Sequence, residues 1–185
     1  MKNILLLLFS PLFLFGQNEE NLKLERMMDS AQNPIKYLKG EESPSFVHSS
    51  LSGKQYSSSS FKGKITFVNF WFSNCSPCIA EMKSLNELYL QFKDNPDFQF
   101  LSFTFDNPQL ISKAIEKYNL SFDIISISDP ECRRLNFNKG FPTNIIYDRD
   151  GKITFMKVGG QANPEKVSEY FQSTVVPVII EQLKK

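Results

Sequence analysis

Cysteine is scarce in this sequence: Cys75, Cys78 and Cys132 are the only three. Three are too few for a fold held together by a framework of disulfides. Histidine is scarcer still, with His48 alone. Charge of one sign is also lacking. Twenty-one basic residues stand against 20 acidic ones, for a net charge of +1, and the two signs are interspersed. That excludes the basic footprint of a nucleic-acid-binding protein. Nor is there a long hydrophobic run. The main apolar stretch, Ile4 to Phe15, is broken by Ser10-Pro11 and falls short of the roughly 20 residues that span a bilayer. No internal repeat is visible.

What is present is globular in character, 41% hydrophobic and 22% charged, and long enough for one domain with a real core. The opening "MKNILLLLFSPLFLFGQ" reads as a secretory signal peptide over residues 1–16, with cleavage after Gly16. The alternative is a hydrophobic first element of the core. No cysteine precedes Cys75, so the lipid-bearing cysteine of a bacterial lipoprotein is not expected. The mature chain is expected to be periplasmic or otherwise exported, and soluble. Residues 17–40 read as a short helix and linker, and 41–185 as one domain. The 18 phenylalanines suggest aromatic packing without naming a chemistry.

"ITFVNFWF" (65–72) is β-branched, aromatic and almost continuously apolar, as a strand buried on both faces must be. Ile79, Met82, Leu85, Leu88 and Phe92 then recur at helical spacing, so a helix runs from about Cys75 or Ser76 to Phe92. "FQFLSFTFD" (98–106) predicts a strand, and Pro108 to Tyr118 a helix. "FDIISISD" follows as a third strand, with a helical turn from Pro130 to Leu135. "TNIIYDRDGKITFMKVGG" is a hairpin turning at Asp150-Gly151. A last helix starts near Pro164 and is broken or restarted at Pro177. A brief strand near Phe46-Val47 and a serine-rich loop precede all of this. The order predicts an α/β fold with a mixed central sheet and helices on both faces.

The pair in "FWFSNCSPC" (70–78) sits where the buried strand gives way to a helix. Free N–H groups and the dipole at that helix end favour negative charge. A thiolate at Cys75 is therefore stabilised, and its pKa can fall from ~8.5 to roughly 3.5–7.5. Cys78, one turn on, can attack a mixed disulfide formed at Cys75 and release the partner. A disulfide closing so small a ring constrains little chain entropy. It is a poor staple and a good reagent.

The unit resembles the thioredoxin superfamily and, more narrowly, its exported TlpA/ResA-like branch, which is related to the AhpC/TSA and Redoxin group. The likeness rests on "SPSF", "FKGK", "VNFWFSNCSPCIAEM" and "GFPTNIIYDRDGKI", and covers roughly Glu41 to Glu169. It implies a thioredoxin-like three-layer sandwich and a thiol–disulfide oxidoreductase working through Cys75 and Cys78. It implies a cis bond before Pro142, beside the sulfurs, with substrates pairing along the backbone at Phe141. Asn74, Thr143 and Trp71 complete the expected substrate side, although Trp71, further back in the strand, reads as a residue that packs rather than reacts. The branch's C-x-x-C-x-x-E pattern makes Glu81 the proton partner of the inner cysteine. Asn69 stands where thioredoxin has a buried aspartate, which leaves Glu81 as the nearby acid. Asn74 replaces the branch's usual tryptophan. By resemblance the chain is a monomeric reductase of exported proteins, apocytochrome c among them. Its electrons would come from a membrane-embedded reductant of the DsbD or CcdA kind, with no cofactor beyond the dithiol.

Three other readings stay open. A peroxiredoxin-type peroxidase shares the fold but uses a lone cysteine with a nearby arginine, and no arginine lies between Arg26 and Arg133. A non-catalytic thioredoxin-fold binding domain would keep the CxxC as structure. A zinc site could be assembled nominally from Cys75, Cys78, Cys132 and His48, but without a second paired spacing. Cys132 itself reads as a small buried residue, and His48 as a surface one.

Overall fold

The structure is a computed structural model and describes residues 11–185. Of the expected signal peptide, residues 1–10 lie outside the described residues. The chain is helical over Pro11–Gln32 (α1) and again over Pro34–Leu38 (α2). Asp29 joins the two, accepting hydrogen bonds from Asn33, Lys36 and Tyr37. Among the described residues no helix is long and apolar enough to cross a membrane.

The strand expected near Phe46 is Val47–Ser49 (β1), and it has a partner within the stretch expected to be a serine-rich loop. Gln55–Ser57 (β2) pairs with it antiparallel. The turn runs through Ser52-Gly53, and Tyr56 on β2 is buried. The serine run hides this strand because a three-residue element offers too little alternation to detect. A 3-10 turn, Ser58–Phe61, follows and buries Phe61.

The central elements are Ile65–Trp71 (β3), Ser76–Phe92 (α3), Phe98–Thr104 (β4), Pro108–Tyr118 (α4), Ile124–Ser126 (β5) and Asp129–Leu135 (α5). They are followed by Thr143–Tyr147 (β6), Ile153–Val158 (β7) and Pro164–Tyr170 (α6). Five strands form one sheet in the order β5-β4-β3-β6-β7. β3, β4 and β5 are parallel, and β6 and β7 antiparallel. Gly151, with φ of +75°, makes the β6–β7 turn. Asp148 Oδ1 accepts from the N–H groups of Asp150 and Lys152 in that turn.

Every residue of β3 is buried, and its side chains alternate between two cores. Ile65, Phe67 and Trp71 face α3, α4 and the C-terminal helices. Val68 and Phe70 face α5, Phe61 and the β1–β2 hairpin. Right-handed crossovers between successive parallel strands put α3 and α4 on one face. The return through α5 covers the other. This is the three-layer, mixed-sheet architecture expected from the sequence.

Pro177 restarts the last helix rather than ending it. A π-helical turn, Phe171–Val175, absorbs the register change, and Val176–Leu183 (α7) continues with Pro177 in its first turn, where a missing N–H costs nothing. His48 is half-buried rather than on the surface. It stacks on Phe46 and its Nε2 lies 3.1 Å from Glu131 Oε1, tying β1 to α5. Arg134 completes that contact and holds the Glu131 carboxyl down at about 2.

Candidate active site

β3 delivers the chain to Trp71, and four residues later α3 begins with Cys75 as its N-cap. Pro77 occupies the first turn. The Cys75 sulfur takes the role usually filled by a serine or aspartate oxygen: the backbone N–H of Cys78 donates to it over 3.2 Å. The two cysteines are joined as a disulfide. Cys75 retains 6% exposure and Cys78 only 1%, so the outer sulfur is the one that faces solvent. Asn74 and Ser76 beside it are exposed. Asp106, at the end of β4, accepts from the Ser73 N–H at 2.6 Å and anchors the loop into the site.

The Phe141–Pro142 bond is cis, as expected. Gly160 wedges between this proline and the cysteine helix. A β-carbon at Gly160 would lie 3.0 Å from Glu81 Oε1, 3.2 Å from Pro142 Cγ and 3.5 Å from Pro77 Cβ. No bulkier residue fits there without displacing one of them. The sequence shows this glycine only as the last residue of the hairpin stretch, and what it approaches is set by the fold.

Glu81 sits one turn beyond Cys78 and is 4% exposed. Burial pushes its carboxyl up from 4.5 to about 7, against the opposing effects of the Asn144 amide and the Lys157 charge. Asn144 Nδ2 donates to Glu81 Oε2 at 2.9 Å, and Asn69 Nδ2 donates to Asn144 Oδ1 at 2.8 Å. A cavity of about 270 Å³ opens beside the carboxyl, lined by Lys157, Gly160, Gln161, Lys166 and Tyr170 among others.

Two expected substrate residues are corrected. Trp71 is fully buried and its indole N–H donates to Ser102 Oγ at 2.9 Å, so it presents nothing to a partner. Thr143 is buried too, its hydroxyl donating to the Gly140 carbonyl. A partly buried aromatic cluster next to the cysteine loop and the cis-proline comes instead from Phe72, Phe105 and Phe141. Their ring centroids lie 5.1 to 5.6 Å apart in a closed trio, and the Arg133 guanidinium lies 5.6 Å from the Phe141 ring. Phe105 and Arg133 carry no sequence signal that marks them for this place.

The nominal zinc set does not converge. Cys132 is buried in the core on the opposite face of the sheet from Cys75 and Cys78, and His48 is engaged by Glu131. Among the described residues no group of three His, Cys, Asp or Glu side chains is placed to hold a metal ion. Burial raises the Cys132 thiol to about 12.

The family model "Redoxin" matches residues 38–173. The thiol-disulfide oxidoreductase ResA of Bacillus thuringiensis subsp. konkukian is 31% identical over 134 residues, covering 72% of this chain and 76% of the relative. Among solved structures, the thioredoxin domain of a thiol-disulfide oxidoreductase from Bacteroides vulgatus superposes with a TM-score of 0.57 at 28% identity, covering 71% of this chain and 96% of that one. StoA from Bacillus subtilis is similar in fold, with a TM-score of 0.56 at 23% identity, over 69% of this chain and 96% of StoA.

Proposed function

The chain belongs to the Redoxin family and is a thiol–disulfide oxidoreductase, and on that footing we propose that it is a reductase of disulfides in exported proteins. The observation that carries the reading is the Cys78 N–H directed at the Cys75 sulfur at the mouth of α3. In the dithiol state that hydrogen bond and the helix dipole favour a Cys75 thiolate.

The cycle begins with this thiolate attacking one sulfur of a substrate disulfide. A bond forms between Cys75 and that sulfur, and the second substrate sulfur leaves as a thiolate and takes up a proton. The Cys78 thiol then gives its proton to the Glu81 carboxylate and attacks the Cys75 sulfur. The enzyme disulfide closes and the first substrate sulfur leaves, collecting the proton that Glu81 holds. Two electrons have passed from the dithiol to the substrate, and an external dithiol must return them. A carboxyl titrating near 7 suits both halves of this transfer. Phe141 and Pro142 offer the backbone edge for the partner, with Asn74 at the exposed rim.

The expected substrates are exported proteins with oxidised cysteine pairs, apocytochrome c among them. The expected reductant is a membrane-embedded dithiol donor of the DsbD or CcdA kind. The working form is a monomer released from its signal peptide. The test is the reduction potential of the Cys75–Cys78 couple, measured with insulin reduction as the activity. A potential near the thioredoxin value of about −270 mV, with insulin reduced, supports the reading. One near about −120 mV makes the protein an oxidase.

A further inference from the structure

A line of polar side chains crosses the sheet underneath Glu81. Ser102, Asn69 and Asn144 lie on neighbouring strands in direct register, and all three are buried. The line begins at Trp71, whose indole N–H can only donate and does so to Ser102 Oγ. Ser102 accepts there with one of its two lone pairs, and its own hydrogen is directed at Asn69 Oδ1 over 3.5 Å. That fixes the Asn69 amide with its NH2 toward Asn144, which in turn fixes Asn144 with its NH2 toward Glu81 Oε2. Every link donates in the same direction, and a reversed amide would set two acceptors or two donors face to face in a dry interior.

We propose that Trp71, Ser102, Asn69 and Asn144 form a one-way line of donors that keeps Glu81 Oε2 an acceptor, so that the exchanged proton is carried on Oε1. Asn144 is the positioning residue, and the other three fix its orientation. Oε1 is the atom that Gly160 approaches, on the side of the cavity lined by Lys157, Lys166 and Tyr170. These groups, with Cys78 on the same helix, are the titratable neighbours of the carboxyl. Protons therefore reach Glu81 through the cavity and not through the sheet. The proposal rests on the reading of Glu81 as the proton partner of Cys78, but its test does not depend on that role.

The test is carboxyl and side-chain amide NMR on the reduced full-length protein across pH. In the unaltered protein the Asn144 NH2 resonances should move with the same midpoint as the Glu81 carboxyl carbon. In Asn144→Ala the carboxylate loses its donor, and the Glu81 midpoint should rise by roughly one to two pH units. Ser102→Ala, which frees the Asn69 amide to reverse, should move it in the same direction by less. Asn144 resonances indifferent to Glu81 in the unaltered protein would overturn the proposal even if the variants fail to fold. An unmoved Glu81 midpoint in folded Asn144→Ala would do the same. The role of Glu81 is read separately, from the pH profile of Cys78 alkylation in Glu81→Gln. An unchanged profile there removes Glu81 from catalysis and leaves the NMR result standing.

Discussion

The backbone N–H of Cys78 lies 3.2 Å from the sulfur of Cys75 and points at it across the first turn of α3. Reduction leaves this donor with a sulfur that gains from being ionised. Cys75 in the reduced protein should thus react with iodoacetamide well below the pH at which an ordinary thiol does. Cys75→Ser should abolish disulfide exchange, whereas Cys78→Ser should accumulate mixed disulfides that a non-reducing gel resolves. Mixed disulfides appearing in Cys75→Ser instead would reverse the assignment of the two sulfurs.

Cys132 should be silent in the same experiment. It is wholly buried and its thiol is raised to about 12. Mass spectrometry after alkylation of the reduced, folded protein should find label on Cys75 and Cys78 alone, with Cys132 labelled only in denaturant.

The Glu81 carboxyl binds its proton more tightly in the folded chain than in the unfolded one, titrating at about 7 against the ordinary 4.5. The stability it contributes is whole below that lower value, declines as pH rises, and is gone above the upper one. The change amounts to about 3 kcal/mol. Glu81→Gln cannot ionise and escapes this loss. Urea unfolding at pH 4.5, 6 and 8 should find the variant gaining on the unaltered protein until neutrality and then holding level. A gap that does not vary with pH would contradict the shifted carboxyl.

Gly160→Ala places a methyl group 3.0 Å from Glu81 Oε1 and 3.2 Å from Pro142 Cγ. It should slow insulin reduction at least several-fold and cost roughly 1–3 kcal/mol of stability, as overpacking does. Gly140→Ala, whose β-carbon would rest 3.8 Å from Val158, is the control and should do neither.

Phe105 closes the aromatic trio with Phe72 and Phe141. Phe105→Ala should raise the KM for a protein disulfide while leaving exchange with dithiothreitol near its normal rate. Equal loss with both substrates would place the residue in the fold's support and not at the partner's side.

The strands and helices that position the sulfurs were legible because their periodicity is strong. β3 is a seven-residue apolar run, and α3 carries Met82, Leu85 and Leu88 on one buried stripe. Gln55–Ser57 was not legible, since three residues among serines give no pattern and only pairing with Val47–Ser49 makes them a strand. The cysteines and Glu81 were found through spacing along one helix. Asn144, Gly160 and Phe105 come from three other segments, and sequence distance hides what the sheet brings together. Trp71 shows both sides of this. Its place in a buried strand supports the expectation that it packs, and strand alternation turns its ring into the core beside Phe67, which removes it from the substrate side.

The placement of Cys132 beneath the far side of the sheet bears on how the molecule survives its own chemistry. A dithiol that cycles through oxidation in the company of a third sulfur risks closing the wrong ring and stranding itself. Here β3, packed with Phe67 and Trp71 on one side and Val68 and Phe70 on the other, insulates the spare sulfur from the live pair. Crossing that barrier means dismantling the fold, so a native molecule cannot short-circuit itself.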